Sequence, residues 1–134
     1  MTMTAAELQL GKVQEALACI DRRDTDGFMA FWTDDVVWQM SGSGPFGGAY
    51  RGKDAVRGLS DALMGVIGPS YSMEPVDVLA DDRHVVIMFH VTGERDGTSI
   101  DMTNSTFVTV ADDGRWNQAW WVPSDQKSYD QYFR

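Results

Sequence analysis

Residues 83–122 read RHVVIMFHVTGERDGTSIDMTNSTFVTVADDGRWNQAWWV, and this stretch decides the fold. It holds three extended runs, Arg83–Glu94, Thr98–Ala111 and Arg115–Val122, rich in β-branched and aromatic residues. Asp96-Gly97 separates the first two and Asp112-Asp113-Gly114 the last two. Asp-Gly between extended runs is a strong hairpin signal, because both central residues of the tight turn must tolerate positive φ. Two such turns in succession predict a meander of long antiparallel strands. Met73–Ala80, closed by Asp81-Asp82, reads as one more strand on its upstream side.

Working back toward the N-terminus, the period changes from two to that of a helix. Thr4 and Glu7 have capping-box spacing, and Leu10, Val13, Leu17 and Ile20 recur on one face, which predicts a first helix ending near Asp21. Asp24 can cap a short second helix through Phe28, Phe31 and Trp32. Asp34-Asp35 breaks that pattern, and Val36–Met40 reads as a first strand. The loop from Ser41 to Ala49 holds Pro45 and four glycines but lacks the Lys-Ser/Thr ending of a phosphate-binding loop. Tyr50-Arg51 reads as a very short strand, and Lys53–Val66 as a third helix. Helices first and strands afterwards predict an α+β layer architecture, since βαβ units would alternate them. No repeat or composition shift divides the chain, so residues 1–134 are read as one domain. The tail, Asp125–Arg134, carries Tyr129, Tyr132 and Phe133 and is expected to pack on a core or on a partner subunit.

Composition narrows the partners. With 20 acidic against 11 basic residues the net charge is -9, and no basic stripe is visible for nucleic acid or anionic lipid. Five Trp and eight Met suit both core filling and the lining of an irregular apolar cavity. The lone Cys19 excludes a disulfide within the chain, which fits a reducing cytoplasm. The N-terminus has no basic region followed by an apolar run, and no segment reaches the length of a membrane span.

Four stretches resemble the SnoaL-like branch of the NTF2-like superfamily: Phe31–Trp38, the Pro45–Val56 segment PFGGAYRGKDAV, the Asp112–Arg115 turn, and Trp120-Trp121 followed by Asp125. The resemblance implies a cone-shaped, cystatin-like fold: a curved antiparallel sheet wrapped around helices, with an apolar pocket open at one end. It also implies cofactor-independent acid–base chemistry, by a pocket carboxylate sometimes aided by His or Tyr, as in polyketide cyclases and ketosteroid isomerases. An apolar pocket raises a carboxyl pKa toward neutrality, which is what that role needs.

On Thr98–Ala111 one face carries Ile100, Met102, Asn104, Thr106, Val108 and Val110, and this more apolar face is expected to line the pocket. Asn104 is then a polar group in an apolar row, fit to orient a carbonyl or hydroxyl, or else a buried amide satisfying nearby backbone. Asp101 belongs to the opposite face unless a bulge turns it in. His90, on the preceding strand, and Asp125, the carboxylate carried over from the family motif, are the candidate proton carriers. His84 sits beside a turn and is the weaker candidate. Trp38, Tyr50 and Trp120, with Met102 and Thr106, are the expected pocket walls. No carboxylate stands at Trp38–Met40, against a steroid-isomerase mechanism, and the Arg and paired Asp of epoxide hydrolases are missing. The expected activity is a cyclase or isomerase acting on a polyketide- or polyether-type substrate. Two alternatives stay open: a module that binds a small apolar molecule without changing it, and an interaction module pairing through the polar sheet face, as in a homodimer.

Overall fold

The hairpin at Asp96-Gly97 closes as its sequence demands, with φ of 51° and 80° at the two residues. It joins β4 (His84–Arg95) to β5 (Thr98–Val110) over twelve paired positions, from His84 against Thr109 to Arg95 against Thr98. The computed structural model describes residues 2–134. In chain order the other elements are α1 (Ala5–Asp21), α2 (Thr25–Met29), β1 (Trp32–Met40), β2 (Gly48–Arg51), α3 (Lys53–Val66), β3 (Ser72–Ala80), β6 (Trp116–Pro123) and α4 (Gln126–Tyr132). The six strands form one curved sheet in the order β2-β1-β6-β5-β4-β3. Every neighbouring pair is antiparallel except β1 and β6, which run parallel.

The expected boundaries hold closely for α1, α3 and β3–β6, and they miss at β1. The second helix stops at Met29, and Trp32 already belongs to β1. Tertiary pairing decides this: the Trp116 amide donates to the Phe31 carbonyl at 2.8 Å, and Trp32 lies opposite Trp116 of the parallel neighbour. The register then slips between Trp32 and Val37, so Asp34 and Asp35 both face solvent while Val36 turns inward. Gly52 at φ 88° turns the chain from β2 into α3, and its amide donates to the Val36 carbonyl at 2.7 Å. That conformation strains any residue with a Cβ. The aromatic tail forms α4 and packs on its own chain: Tyr129, Tyr132 and Phe133 are buried, and the Tyr132 hydroxyl donates to the Ile67 carbonyl.

The core lies between the inner face of the sheet and the helices. Val85, Ile87, Phe89 and Val91 of β4 and Ile100, Met102, Val108 and Val110 of β5 are buried against it. The β5 register read from alternation is therefore observed, with Asn104 and Thr106 buried in the same row. Val13, Ala16 and Cys19 of α1 and Val56 and Leu59 of α3 supply the opposing layer. An aromatic cluster of Phe28, Trp32, Trp38 and Trp116, with centroids 5.2–6.3 Å apart, closes one end.

Candidate functional site

Helices and sheet do not meet completely. Between them lies a cavity of about 400 Å³ whose walls come from every layer. Leu17 and Ile20 of α1, Phe28 of α2, Leu59 and Leu63 of α3, and Trp38 and Met40 of β1 give it an apolar lining. Trp121 of β6, Met73 of β3, and Tyr129 and Phe133 around α4 close the far side. A smaller recess of about 70 Å³ lies behind Phe28, Trp38 and Trp121 and reaches Thr106, Val108 and Trp116. The rim carries the charge: Asp21, Arg23 and Asp24 of the α1–α2 connection are exposed there, with Pro75 of β3.

The polar groups of the interior are neutral. Burial pushes the Tyr129 hydroxyl well above its ordinary pKa, helped by Tyr71 and Asp130, and burial does the same to Tyr71. Both remain protonated across the physiological range, with a hydroxyl proton available to donate. The Trp38 indole nitrogen, the Thr106 hydroxyl and both amide atoms of Asn104 are buried without a protein partner. An unsatisfied buried polar group costs about 1–3 kcal/mol, so each of these groups gains from any partner it finds.

Of the residues expected from the sequence, Trp38 and Thr106 stand in the walls. Asn104 is fully buried on the inner face of β5, between Phe89 and Pro123 in the flanking strands. Met102 is buried in the same row but lies outside the cavity lining. Tyr50 also lies outside it, donating its hydroxyl to the Phe46 carbonyl at 3.0 Å. Met102 and Tyr50 are thus corrections to the expected walls, and three further placements are corrections as well. His90 is on the outer face of β4, paired with the more exposed Asp101 at 2.8 Å. Alternation along β4 puts Phe89 and Val91 inside, and His90 between them outside. Asp101 correspondingly keeps to the outer face, because β5 pairs with β4 through every position without a bulge.

Asp125 is the N-cap of α4, accepting from the Ser128 hydroxyl at 2.7 Å and the Ser128 amide at 3.2 Å. Those hydrogen bonds, the hydroxyl's first, hold its pKa below the usual carboxylate value. A proton carrier at neutral pH would need the opposite shift. The third of those further corrections is Trp120, which faces outward beside Phe107, while Trp121 lines the cavity. A register shift around Asn117 resets the alternation, so that Trp116, Ala119 and Trp121 all point in. The Asn117 side-chain oxygen accepts from the Thr109 hydroxyl at that irregularity.

The family profile described as SnoaL-like domain matches residues 13–119, most of the chain. The chain belongs to the SnoaL-like family. No curated protein matches its sequence. Among solved structures, this SnoaL-like domain is similar to Bal32a from a soil-derived mobile gene cassette: TM-score 0.88, 20% identity, covering 98% of this chain and 100% of that one. It is also similar to TerC, co-crystallised with polyporic acid, with TM-score 0.78, 17% identity and coverage of 92% and 96%. A candidate polyketide cyclase from Xanthomonas campestris gives TM-score 0.72, 16% identity and coverage of 98% and 100%. Structures described as cystatin-like and NTF2-like superpose as well, and at these identities the shared property is the fold.

The SnoaL-like domain thus holds a cavity whose wall residues were only partly legible. Tyr129 and Phe133 sit in the aromatic tail, which the sequence marks as packing but assigns to no surface. Tyr71 and Arg23 carry no local signal for the site, since only the return of β3 and α2 to α3 brings them to it.

Proposed function

We propose that this SnoaL-like domain binds a small, predominantly apolar molecule in its cavity, and that enclosure, more than acid–base exchange, is its contribution. The observation that carries this reading is the make-up of the lining. About 400 Å³ is walled by aliphatic, aromatic and neutral hydroxyl groups, while its carboxylates among the described residues, Asp21 and Asp24, are exposed at the rim. Burying apolar ligand surface there contributes roughly 25 cal/mol per Å² before the cost of association. Tyr71 and Tyr129 give such a ligand two hydroxyl donors.

The cyclase reading keeps one point in its favour. A neutral tyrosine can polarise a ketone or steady an enolate while the cavity holds a flexible chain in a reactive shape. The candidate polyketide cyclase of the same fold belongs beside that reading, and so does TerC with polyporic acid. His90 and Asp125 have no part in it, being outside the cavity.

Titration with 1-aminoanthracene, an uncharged apolar fluorophore, tests the binding reading. Saturable one-to-one binding is the expected result. Leu63→Trp, which fills the cavity from α3, should weaken it at least about tenfold, equal to 1.4 kcal/mol, without loss of cooperative melting. Unsaturable binding, or binding untouched by Leu63→Trp, overturns the reading.

A further inference from the structure

The connection between α1 and α2 contains a residue that the backbone argues against. α1 ends in a Schellman-type closure: the Asp24 amide donates to the Cys19 carbonyl at 2.8 Å and the Arg23 amide to the Ile20 carbonyl at 3.0 Å. Arg23 occupies the left-handed position of that closure, at φ 57°. Glycine is the usual residue there, because a Cβ crowds the backbone in this conformation. Among the described non-glycine residues only Asp96 shares a positive φ, and Asp tolerates it in a hairpin turn. An arginine held in this conformation points to a use for its side chain.

Arg23 is among the residues that line the cavity, and it is exposed to solvent there. Among the described residues it makes no ion pair, whereas the adjacent Arg22 and Asp24 approach each other. Arg22 approaches Asp24 at 3.7 Å, and Asp24 also caps α2 by accepting from the Gly27 amide at 2.9 Å. Asp21 is the remaining rim acid, and it lies beyond ion-pair distance of Arg23. Complementing the C-terminal dipole of α1 does not account for Arg23, since Arg22 supplies a cation there in ordinary helical conformation. With a net charge of -9, the protein as a whole repels anions, so an anionic ligand must be caught locally.

We infer that Arg23 determines ligand specificity by taking the anionic end of an otherwise apolar molecule, which makes the ligand an amphipathic monoacid. This rests on the cavity-binding reading. The apolar body fills the space between α1, α3 and the sheet, and the carboxylate, or an equivalent monoanion, stays at the rim against the guanidinium. A charge-assisted contact at a wet rim is modest, so selectivity is of the same modest size.

The test is displacement of 1-aminoanthracene by 1-naphthaleneacetate and by its uncharged amide, at low and high salt. The parent protein should bind the acid about three- to tenfold more tightly than the amide at low salt, with the preference shrinking at high salt. Arg23→Gly and Arg23→Asn, both compatible with the left-handed backbone, should abolish the preference and melt at or above the parent temperature. Equal binding of acid and amide by the parent, or a preference retained in both variants, overturns the role of Arg23 and leaves the cavity reading standing. Variants that melt well below the parent show a structural arginine and overturn it too. If no probe binds saturably, the cavity reading falls and takes this inference with it.

Discussion

The two faces of the β4–β5 hairpin share one backbone and differ in nearly everything else. Inside, Phe89, Val91, Met102 and Asn104 are buried. Outside, His90 and Asp101 pair at 2.8 Å in solvent, and Phe107, farther along β5, is 43% exposed. The residues whose chemistry draws attention in the sequence are on the wet face. The dry face is chemically plain, and its Ile87, Phe89, Thr106 and Val108 line the smaller recess. Ionisable groups stay hydrated unless something compensates them, and on this inner face nothing charged does.

The largest expected effect comes from comparing two phenylalanines. Phe89→Ala should destabilise by about 3–5 kcal/mol, because it opens a void under Trp121, whose ring centroid lies 6.1 Å away. Phe107→Ala, on the outer face, should cost less than about 1 kcal/mol. Denaturant midpoints of the two variants check this, and similar losses would show the outer face to be covered by a partner. Such a result would favour the pairing of two copies through this face, which the polar surroundings of Phe107 leave as an expectation.

A smaller effect of opposite sign sharpens the same contrast. Asn104→Val removes an amide that has no protein partner and suits a buried strand, so it should stabilise by about 1 kcal/mol. A loss of stability would show that the amide is satisfied in solution and would return Asn104 to the list of ligand-orienting groups. Either way, probe titration of the variant separates packing from binding.

Asp125 gives a pH-dependent prediction. Its folded pKa lies below the ordinary 3.8, so its contribution is complete at neutral pH and fades as pH falls below about 4 toward the folded value. Asp125→Ala should therefore lower the melting temperature by roughly 2–5 °C at pH 6, with the gap to the parent narrowing toward pH 2. A gap that does not narrow would mean the cap acts through packing alone. The smallest effect is expected from Asp101→Asn: 1-aminoanthracene affinity unchanged, since the carboxylate is on the far side of the sheet. A clear change in affinity would break the division between the two faces.

Much of the fold was open to reading because its signals are local. Asp96-Gly97 specifies a turn from its own two residues, Thr4 and Glu7 cap a helix within one turn, and strict alternation on β5 sorts that strand into faces. The site was less open. His90 and Asp125 were picked for titratable side chains and a family motif, and neither feature reports the direction in which a side chain points. Trp120 and Trp121 are adjacent, and only the register shift near Asn117 decides which of them enters the cavity.

By itself, then, the sequence determined the α+β layering, the meander, the boundaries of α1 and α3 and the SnoaL-like resemblance, all of which depend on neighbours a few residues apart. The tertiary structure decided the parallel pairing of β1 with β6, the inward turn of Trp121, the return of Tyr129 and Phe133 to the cavity, and the placement of Arg23 in its lining. Those features depend on contacts between residues far apart in the chain. No local propensity encodes them, because their free energy exists only once the layers have closed on one another.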